Sequence, residues 1–501
     1  MKAIGQNPLA SLARIGRTLL KERSRSTLRW PASSGVASGA QGRHALICHA
    51  MKAEREERLN APAPRWKRYV YDVMAAEISS LTRYYDRAIR WPGVPGDSGY
   101  LFEQVECVTK EQLTYPLDLS DLRQERSSRT AIVMNGALNY DLDIHSLLTS
   151  IRARLARTSR LVVVVYNPYL AWLYKLANRL GLRDSGMPLN FLSYADIRSI
   201  AKLSGFEMVR ARRTVYFPWR LLGLGSLINR FAAAIPLVNL FSLASVIVLR
   251  PVIREEGPRP SLSIIIPARN ERGNIESAVG RIPELNTEVE ILFVEGHSND
   301  GTWDEIQRVV KSYAGPLTIR AVQQSGKGKN DAVRLGFSLA RGEVLTILDA
   351  DLTMPPERLT QFFDAYCDGR ADFINGTRLV YPMEGNAMRF LNRLGNVFFA
   401  KSVGRALDTT LGDTLCGTKM VAGHDYTRMT AWRREFGDFD PFGDFELLFP
   451  AAVLGLGIVD VPIRYLARTY GSTNIDRFRH GFMLLRMMLV GIFRVKLRQV
   501  P

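Results

Sequence analysis

Two carboxylates stand two residues apart in Leu348-Asp349-Ala350-Asp351-Leu352, at the end of an apolar run, Val344–Leu348, of the kind that forms a buried strand. Where a strand ends the chain relaxes, and both side chains can turn toward one point. Two adjacent anions are costly unless a cation neutralises them. A hard divalent ion with oxygen ligands, Mg2+ or Mn2+, suits Asp349 and Asp351, and a nucleotide diphosphate can supply further oxygens. Upstream, Gly326-Lys-Gly-Lys-Asn-Asp-Ala-Val-Arg334 opens a helix with glycines and two lysines. Backbone N–H groups and the helix dipole favour phosphate at such a start, so Lys327 and Lys329 are expected to meet the diphosphate.

These residues need a scaffold. Ser261-Leu-Ser-Ile-Ile-Ile-Pro-Ala-Arg-Asn-Glu271 reads as a strand and turn, and Ile291-Leu-Phe-Val-Glu-Gly-His-Ser-Asn-Asp-Gly-Thr302 as the next strand end. Strands at Glu290–Val294, Ile319–Val322 and Val344–Leu348 alternate with helical segments, which predicts a mostly parallel α/β sheet. Four further segments follow: Phe373-Ile-Asn-Gly-Thr-Arg378, Asp413-Thr-Leu-Cys-Gly-Thr-Lys419, Asp444-Phe-Glu446 and Arg468-Thr-Tyr-Gly-Ser-Thr-Asn474.

In order and spacing these segments resemble family 2 glycosyltransferases across about residues 261–475, most closely the polyprenyl-phosphate sugar transferase branch. The resemblance implies a GT-A nucleotide-diphospho-sugar transferase fold. It also implies a UDP- or GDP-sugar donor and a polyprenyl phosphate, glycan or glycolipid acceptor. It places Pro267, Arg269, Asn270 and Glu271 at the nucleotide base and ribose, and Glu295 at the nucleoside; Gly296 stands where the family has a second Asp. It makes Asp349 and Asp351 the ligands of the metal and the sugar diphosphate. Arg378, Asp413, Lys419 and Arg468 match its later donor- and acceptor-side segments, the last of which ends in Asn474 where the family has Lys. Asp444 and Glu446 fall at its acidic pair near the acceptor. They act either as a base toward a sugar hydroxyl or as orienting groups toward a lipid phosphate, which is already ionised and can attack unaided. Single displacement at the anomeric carbon inverts it, with the metal and lysines stabilising the leaving diphosphate.

The first half reads differently. Thr130-Ala-Ile-Val-Met-Asn-Gly-Ala-Leu-Asn-Tyr140, the strand Leu161-Val-Val-Val-Val165 and the phrase Leu192-Ser-Tyr-Ala-Asp-Ile…Ser204-Gly-Phe-Glu resemble the last half of a class I S-adenosylmethionine-dependent methyltransferase over roughly residues 130–250. No apolar strand followed by G-x-G is evident before residue 130, so the half reads as degenerate and S-adenosylmethionine is not expected to bind. A bifunctional chain that still methylates is the alternative; a docking module is a third reading. The whole is expected to be α/β with two domains: a methyltransferase-like Rossmann-type sheet and a GT-A domain, as in bacterial fusions of the two. The expected boundaries are a flexible basic terminus at 1–65, the first domain at 66–250, a Pro-rich linker at 251–260, the transferase at 261–478 and a basic tail at 479–501.

At 501 residues and 46% hydrophobic content the chain can build more than one core. The net charge of +18 gathers at the ends: residues 1–70 hold 14 Lys/Arg against 4 Asp/Glu, and residues 464–501 hold 8 against 1. That favours an anionic surface over a nucleic-acid groove, and no nucleic-acid partner is expected. Cys48, Cys107, Cys367 and Cys416 lack the spacing of a zinc site or disulfide framework, and Cys416 reads as a packed small hydrophobe. Phe231–Leu249 carries no charge over 19 residues, but Pro236, Asn239, Ser242 and Ser245 interrupt it, so a helix, turn and strand is expected rather than a membrane span. In the tail, Phe478, Phe482, Leu485, Leu489 and Ile492 form an amphipathic stripe flanked by Arg477, Arg479, Arg486, Arg494, Lys496 and Arg498. It either packs on the domain or lies on anionic membrane. The expected location is cytoplasmic, at most peripheral at the inner face of the cell membrane.

Overall fold

The computed structural model describes residues 65–497, apart from 93, 95–96, 98, 114–127, 181–186, 234, 236–237, 383–389, 437–442, 469 and 471–476. The flexible reading of 1–65 and the Asn474 substitution therefore lie essentially outside the described residues.

Six strands build a first sheet: β1 (Arg87–Arg90), β2 (Thr109–Gln112), β3 (Thr130–Asn135), β4 (Arg160–Tyr166), β5 (Phe206–Thr214) and β6 (Ala244–Pro251). Their order is β2-β1-β3-β4-β6-β5, parallel from β2 to β4, with β6 antiparallel to both its neighbours. The β-branched run in β4 is buried throughout, as a central strand covered on both faces requires. Alternation divides the side chains. Val133, Val162, Val164 and Val246 pack under the helix Arg65–Thr82, while Ile132, Val163 and Ile247 face the helices Ile144–Arg152 and Tyr194–Leu203. The latter helix starts in the capping box of Ser193 and Asp196 and stops at Gly205, as its sequence predicts. Phe231–Leu249 resolves into the end of the helix Leu224–Ala232, a short turn and β6. No described helix is long and apolar enough to cross a membrane.

Seven strands build the second sheet: β7 (Leu262–Ala268), β8 (Val289–Glu295), β9 (Thr318–Gln323), β10 (Val344–Ile347), β11 (Phe373–Thr377), β12 (Lys419–Ala422) and β13 (Ile458–Pro462). Their order is β13-β11-β12-β10-β7-β8-β9. β12 runs antiparallel to β10 and β11, while the other four pairings are parallel, so the sheet is mostly parallel, as expected, with one reversed strand. The strand ends at β7, β8 and β10 are parallel neighbours, which brings the turns after them to one edge.

Both sheets lie in one compact unit. The segment expected as a linker is pinned: Arg152 Nη2 donates to Val252 O at 2.7 Å, and Arg259 pairs with Asp364 at 2.9 Å. Buried ion pairs join the sheets. Asp372 faces Arg157 (3.3 Å), Arg160 (2.5 Å) and Arg250 (3.5 Å), and Arg129 holds Asp425 through two bonds of 2.6 Å. Tyr85 Oη donates to Leu454 O at 2.7 Å and Arg160 Nε to Gly455 O at 2.6 Å.

The tail helix, Arg477–Ile492, packs with Leu484, Met487 and Met488 in the core of the second sheet, joined by Val495 beyond it. That is a different face from the expected stripe. Phe482 and Leu489 of the stripe remain exposed, with Leu485 half-buried beside them. The side chains of Arg477, Phe478, Arg479, Lys496 and Arg498 lie outside the described residues.

Candidate active site

The Asp349-x-Asp351 turn sits just past β10, with Leu352 at φ 52° closing it. Leu352 N–H donates to Asp349 O at 3.2 Å, and Thr353 N–H (3.1 Å) and Oγ1 (2.8 Å) donate to Asp351 Oδ1. The turn is thus set by local bonds before any ligand arrives. Each carboxylate meets one cation: Asp349 pairs with Lys329, and Asp351 Oδ2 with Arg468 Nη2 at 2.7 Å. Burial alone would raise the Asp349 pKa, yet Lys329, Lys419 and Arg378 hold it below the usual range. Lys329 stays protonated for the matching reason: burial opposes its charge, but Asp349 and Asp444 outweigh burial.

Lys329 is the first residue of the helix Lys329–Leu339, behind Gly328. Its position at the N-terminus matches the expectation from the Gly-Lys-Gly-Lys run. Lys327 is exposed on the loop before it.

The segment Asp413–Lys419 lies over the same point. Arg378 forks onto Asp413 at 2.7 and 3.0 Å, and Leu415 N–H caps the same carboxylate at 2.9 Å. Lys419, at the start of β12, reaches Asp444 Oδ1 at 2.5 Å from a fully buried position. Cys416 is a buried packing residue whose thiol is pushed up to about 11 by burial. Gly417 is the glycine of the Asp413–Lys419 segment. A Cβ there would meet Lys329 Nζ and Asp349 Oδ2, so any larger residue would push this pair aside.

Asp444 and Glu446 meet different partners. At two residues apart on the helix Asp444–Val453 they point to different sides. Asp444 turns to Lys419. Glu446 is buried and takes bonds from Asn330 (2.7 Å), Arg334 (2.9 and 2.5 Å) and Arg433 (3.1 Å). These bonds tie this helix to the Lys329 helix, an arrangement in keeping with the orienting alternative for Glu446.

The remaining expected residues line the ends of β7 and β8. Pro267 lies in β7, Arg269 is exposed just after it, and Asn270 takes φ 56°. Asn270 N–H donates to Ser298 Oγ (2.9 Å) while its Oδ1 accepts from Asn299 N–H (2.9 Å), so the two turns are stitched together. Glu295 is buried; burial would raise its pKa, but Ser298 N–H (2.6 Å) and Gln323 Nε2 (3.1 Å) bind its oxygens and lower it. Glu271 is buried as well and is pushed up to about 7, chiefly by desolvation. Arg468 lies 4.0 Å from Glu271 and so spans the β7 turn and the Asp349 turn.

In the first half, the crevice past β1 and β3 is closed. Arg90 Nη2 pairs with Asp97 at 3.2 Å, and Asp97 accepts from Asn135 Nδ2 at 3.1 Å. The space among Arg90, Trp91, Asp97, Phe102, Val133 and Asn135 is about 10 Å³. A strand does precede residue 130, but β1, Arg87-Ala-Ile-Arg90, is half arginine, and the segment Trp91-Pro-Gly-Val-Pro-Gly-Asp-Ser-Gly99 after it has no G-x-G spacing.

The second half carries the geometry of a transferase site: a carboxylate pair, convergent cations and a phosphate-ready helix start. Comparison with known proteins agrees. The sequence profile of glycosyl transferase family 2 matches residues 263–422. The dolichyl-phosphate hexose transferase of Haloferax volcanii is 30% identical over 226 residues, 44% of this chain and 89% of the relative. The polyprenol monophosphomannose synthase of Mycolicibacterium smegmatis is 32% identical over 236 residues, 44% of this chain and 82% of the relative. The dolichol-phosphate mannosyltransferase of Pyrococcus furiosus is 36% identical over 235 residues, 45% of this chain; the match spans 64% of that relative, just under two thirds. The chain belongs to glycosyl transferase family 2. Its second half is a glycosyltransferase.

Proposed function

We propose that the protein moves a sugar from a nucleotide-diphosphate donor to a polyprenyl phosphate, inverting the anomeric carbon. The observation that carries this reading is the set of four cations, Lys329, Arg378, Lys419 and Arg468, gathered about the Asp349-x-Asp351 turn. Such a set suits a leaving diphosphate and an incoming phosphate. The donor is a UDP- or GDP-sugar on a GT-A fold spanning 261–478, with the Asn270, Glu271 and Glu295 turns toward the nucleoside.

Asp349 and Asp351 would hold a Mg2+ or Mn2+. Hard carboxylate oxygens at one turn fit such an ion, and no cluster of three or more ligating side chains stands among the described residues, so diphosphate oxygens would complete the shell. A bound ion supplies positive charge against the charge developing on the departing diphosphate. Lys329 and Arg468, now on the two carboxylates, are within reach of the same phosphate oxygens.

The acceptor assignment rests on Asp444. Its carboxylate is engaged by Lys419 at 2.5 Å rather than left open toward a hydroxyl, which suits an acceptor that arrives already ionised and needs no base. The three relatives above are each named for a polyprenyl or dolichyl phosphate. In the step, an oxygen of the lipid phosphate bonds to the anomeric carbon while the bond to the nucleoside diphosphate breaks. Lys419, fully buried, acts by fixing Asp444 on the acceptor side, and Lys329 and Arg468 hold the leaving phosphate. The lipid acceptor puts the reaction at a membrane surface. The first half, 66–250, is methyltransferase-like in ancestry and serves no methyl transfer.

Transfer of labelled sugar from a panel of UDP- and GDP-sugars to polyprenyl phosphate tests the reading. Asp349→Ala and Asp351→Ala should each lower transfer by about a hundredfold or more, with the fold intact by circular dichroism. Chelator should do the same. Full activity in excess EDTA would remove the metal, and transfer only to sugar hydroxyls would remove the lipid phosphate.

A further inference from the structure

Three neighbouring elements each leave an apolar stripe in solvent. On the tail helix it is Phe482 and Leu489, continued by Phe493, edging a groove of about 450 Å³ that Arg486 and Arg494 also line. The helix Phe390–Leu407, packed beside the tail, exposes Leu394 and Phe398, one turn apart. The third element belongs to the first half. The helix Leu224–Ala232 packs beside the turn Phe493–Leu497 and exposes Leu224, Leu227 and Phe231, again along one helical face. The loop before it is odd in its own right. Leu221 and Leu222 take φ 35° and 54°, a left-handed backbone unfavourable for leucine, and Leu222 is fully exposed at 110%. Strained, exposed apolar residues at a loop tip point to a partner.

Charge says which partner. Residues 219–241, 390–408 and 476–497 together contain ten Lys/Arg and two Asp, Asp408 and Asp476 at the segment ends. Arg220 and Arg230 flank the first-half helix, Arg393 and Lys401 the second, and all four are exposed. Apolar side chains ringed mainly by cations match an anionic lipid surface, where tails receive the former and headgroups the latter.

We infer that the first half is a membrane-docking module: Leu222, the helix Leu224–Ala232 and the tail helix form one face that rests on anionic bilayer. This goes beyond the proposed reaction, since vesicle binding needs neither donor nor acceptor and can succeed or fail independently of transfer.

Full-length protein sedimented with phosphatidylglycerol and with phosphatidylcholine vesicles tests it. Binding should favour phosphatidylglycerol, weaken with salt, and fall roughly fivefold for each cation reversed, as in Arg220→Glu and Arg230→Glu. Leu227→Ser with Phe231→Ser should weaken it by about tenfold or more, comparably to Phe482→Ser with Leu489→Ser. Leu142→Ser, at an exposed leucine flanked by Asp141 and Asp143, should not. Because all these side chains are exposed, unchanged circular dichroism separates lost binding from lost fold. Binding that ignores the first-half substitutions would overturn the module. So would a dimer that dissociates on Phe231→Ser, which gives the face to a second copy, or crosslinking of residues 1–64 to it.

Discussion

Replacing Asp372 by Ala should destabilise the whole chain, because this one buried carboxylate faces Arg157, Arg160 and Arg250 from the other sheet's side of the molecule. Arg160 and Arg250 are completely buried and Arg157 is nearly so. Removing one partner of a buried ion pair costs about 3–5 kcal/mol, since the other charge is left uncompensated. Here more than one guanidinium is left so, and the upper part of that range is expected. Against a total stability of about 5–15 kcal/mol, the variant should unfold at far lower urea. Intrinsic tryptophan fluorescence and far-ultraviolet circular dichroism should report the same midpoint in wild type, because the pairs tie both sheets into one unit. The pH dependence has a definite sign. Burial opposes the Asp372 charge, but its arginines hold the folded pKa far below the usual carboxylate value. Its contribution is therefore present above the unfolded pKa of about 4 and is lost as pH falls toward the folded one. Asp372→Asn should lose that acid limb. Asp372→Leu combined with Arg160→Met should recover only the part of the loss that Arg160 causes, since Arg157 and Arg250 still lack the carboxylate. A cost under about 1 kcal/mol for Asp372→Ala, or two separate wild-type transitions of which only one responds, would refute the reasoning.

Glu271 predicts the opposite pH behaviour. Its pKa is pushed up from 4.5 to about 7, chiefly by burial, so the folded state favours its proton and stability relative to Glu271→Gln should decline as pH rises through that interval; parallel melting curves would reject this. Calorimetry of the full chain with S-adenosylmethionine should give no heat, because the Arg90–Asp97 pair occupies the crevice past β1; a micromolar dissociation constant would show that the pair opens.

What could be read from sequence followed from local rules. The Asp349-x-Asp351 turn was legible because a continuous apolar strand precedes it, and Lys329 because glycines precede a helical pattern. The helix at Ser193 announced itself through its cap. Other features depend on residues far apart in the chain. Nothing near Arg129 or Arg160 marks them as buried, since their carboxylates are 296 and 212 residues away. Strand β1 was masked by its two arginines. Asp444 and Glu446 read as a pair because they are close in sequence, whereas helical geometry points them apart. The tail stripe was found by periodicity, but Met487, Met488 and Val495 supply a second apolar face that a single-face reading could not rank.

The joints between the sheets also bear on how the acceptor side is built. Asp425, held by Arg129, lies just beyond β12, the strand that starts at Lys419. Leu454 and Gly455, held by Tyr85 and Arg160, follow the helix that starts at Asp444. The first half therefore grips the far ends of the two elements whose near ends bring Lys419 and Asp444 within 2.5 Å. Each grip is a buried, charge-assisted or direct hydrogen bond, so these elements cannot shift without breaking it. A half whose own crevice is filled by Arg90 can thus remain necessary to transfer. It fixes the Lys419–Asp444 pair from behind, while its exposed helix Leu224–Ala232 lies beside the tail that carries the same apolar and cationic character.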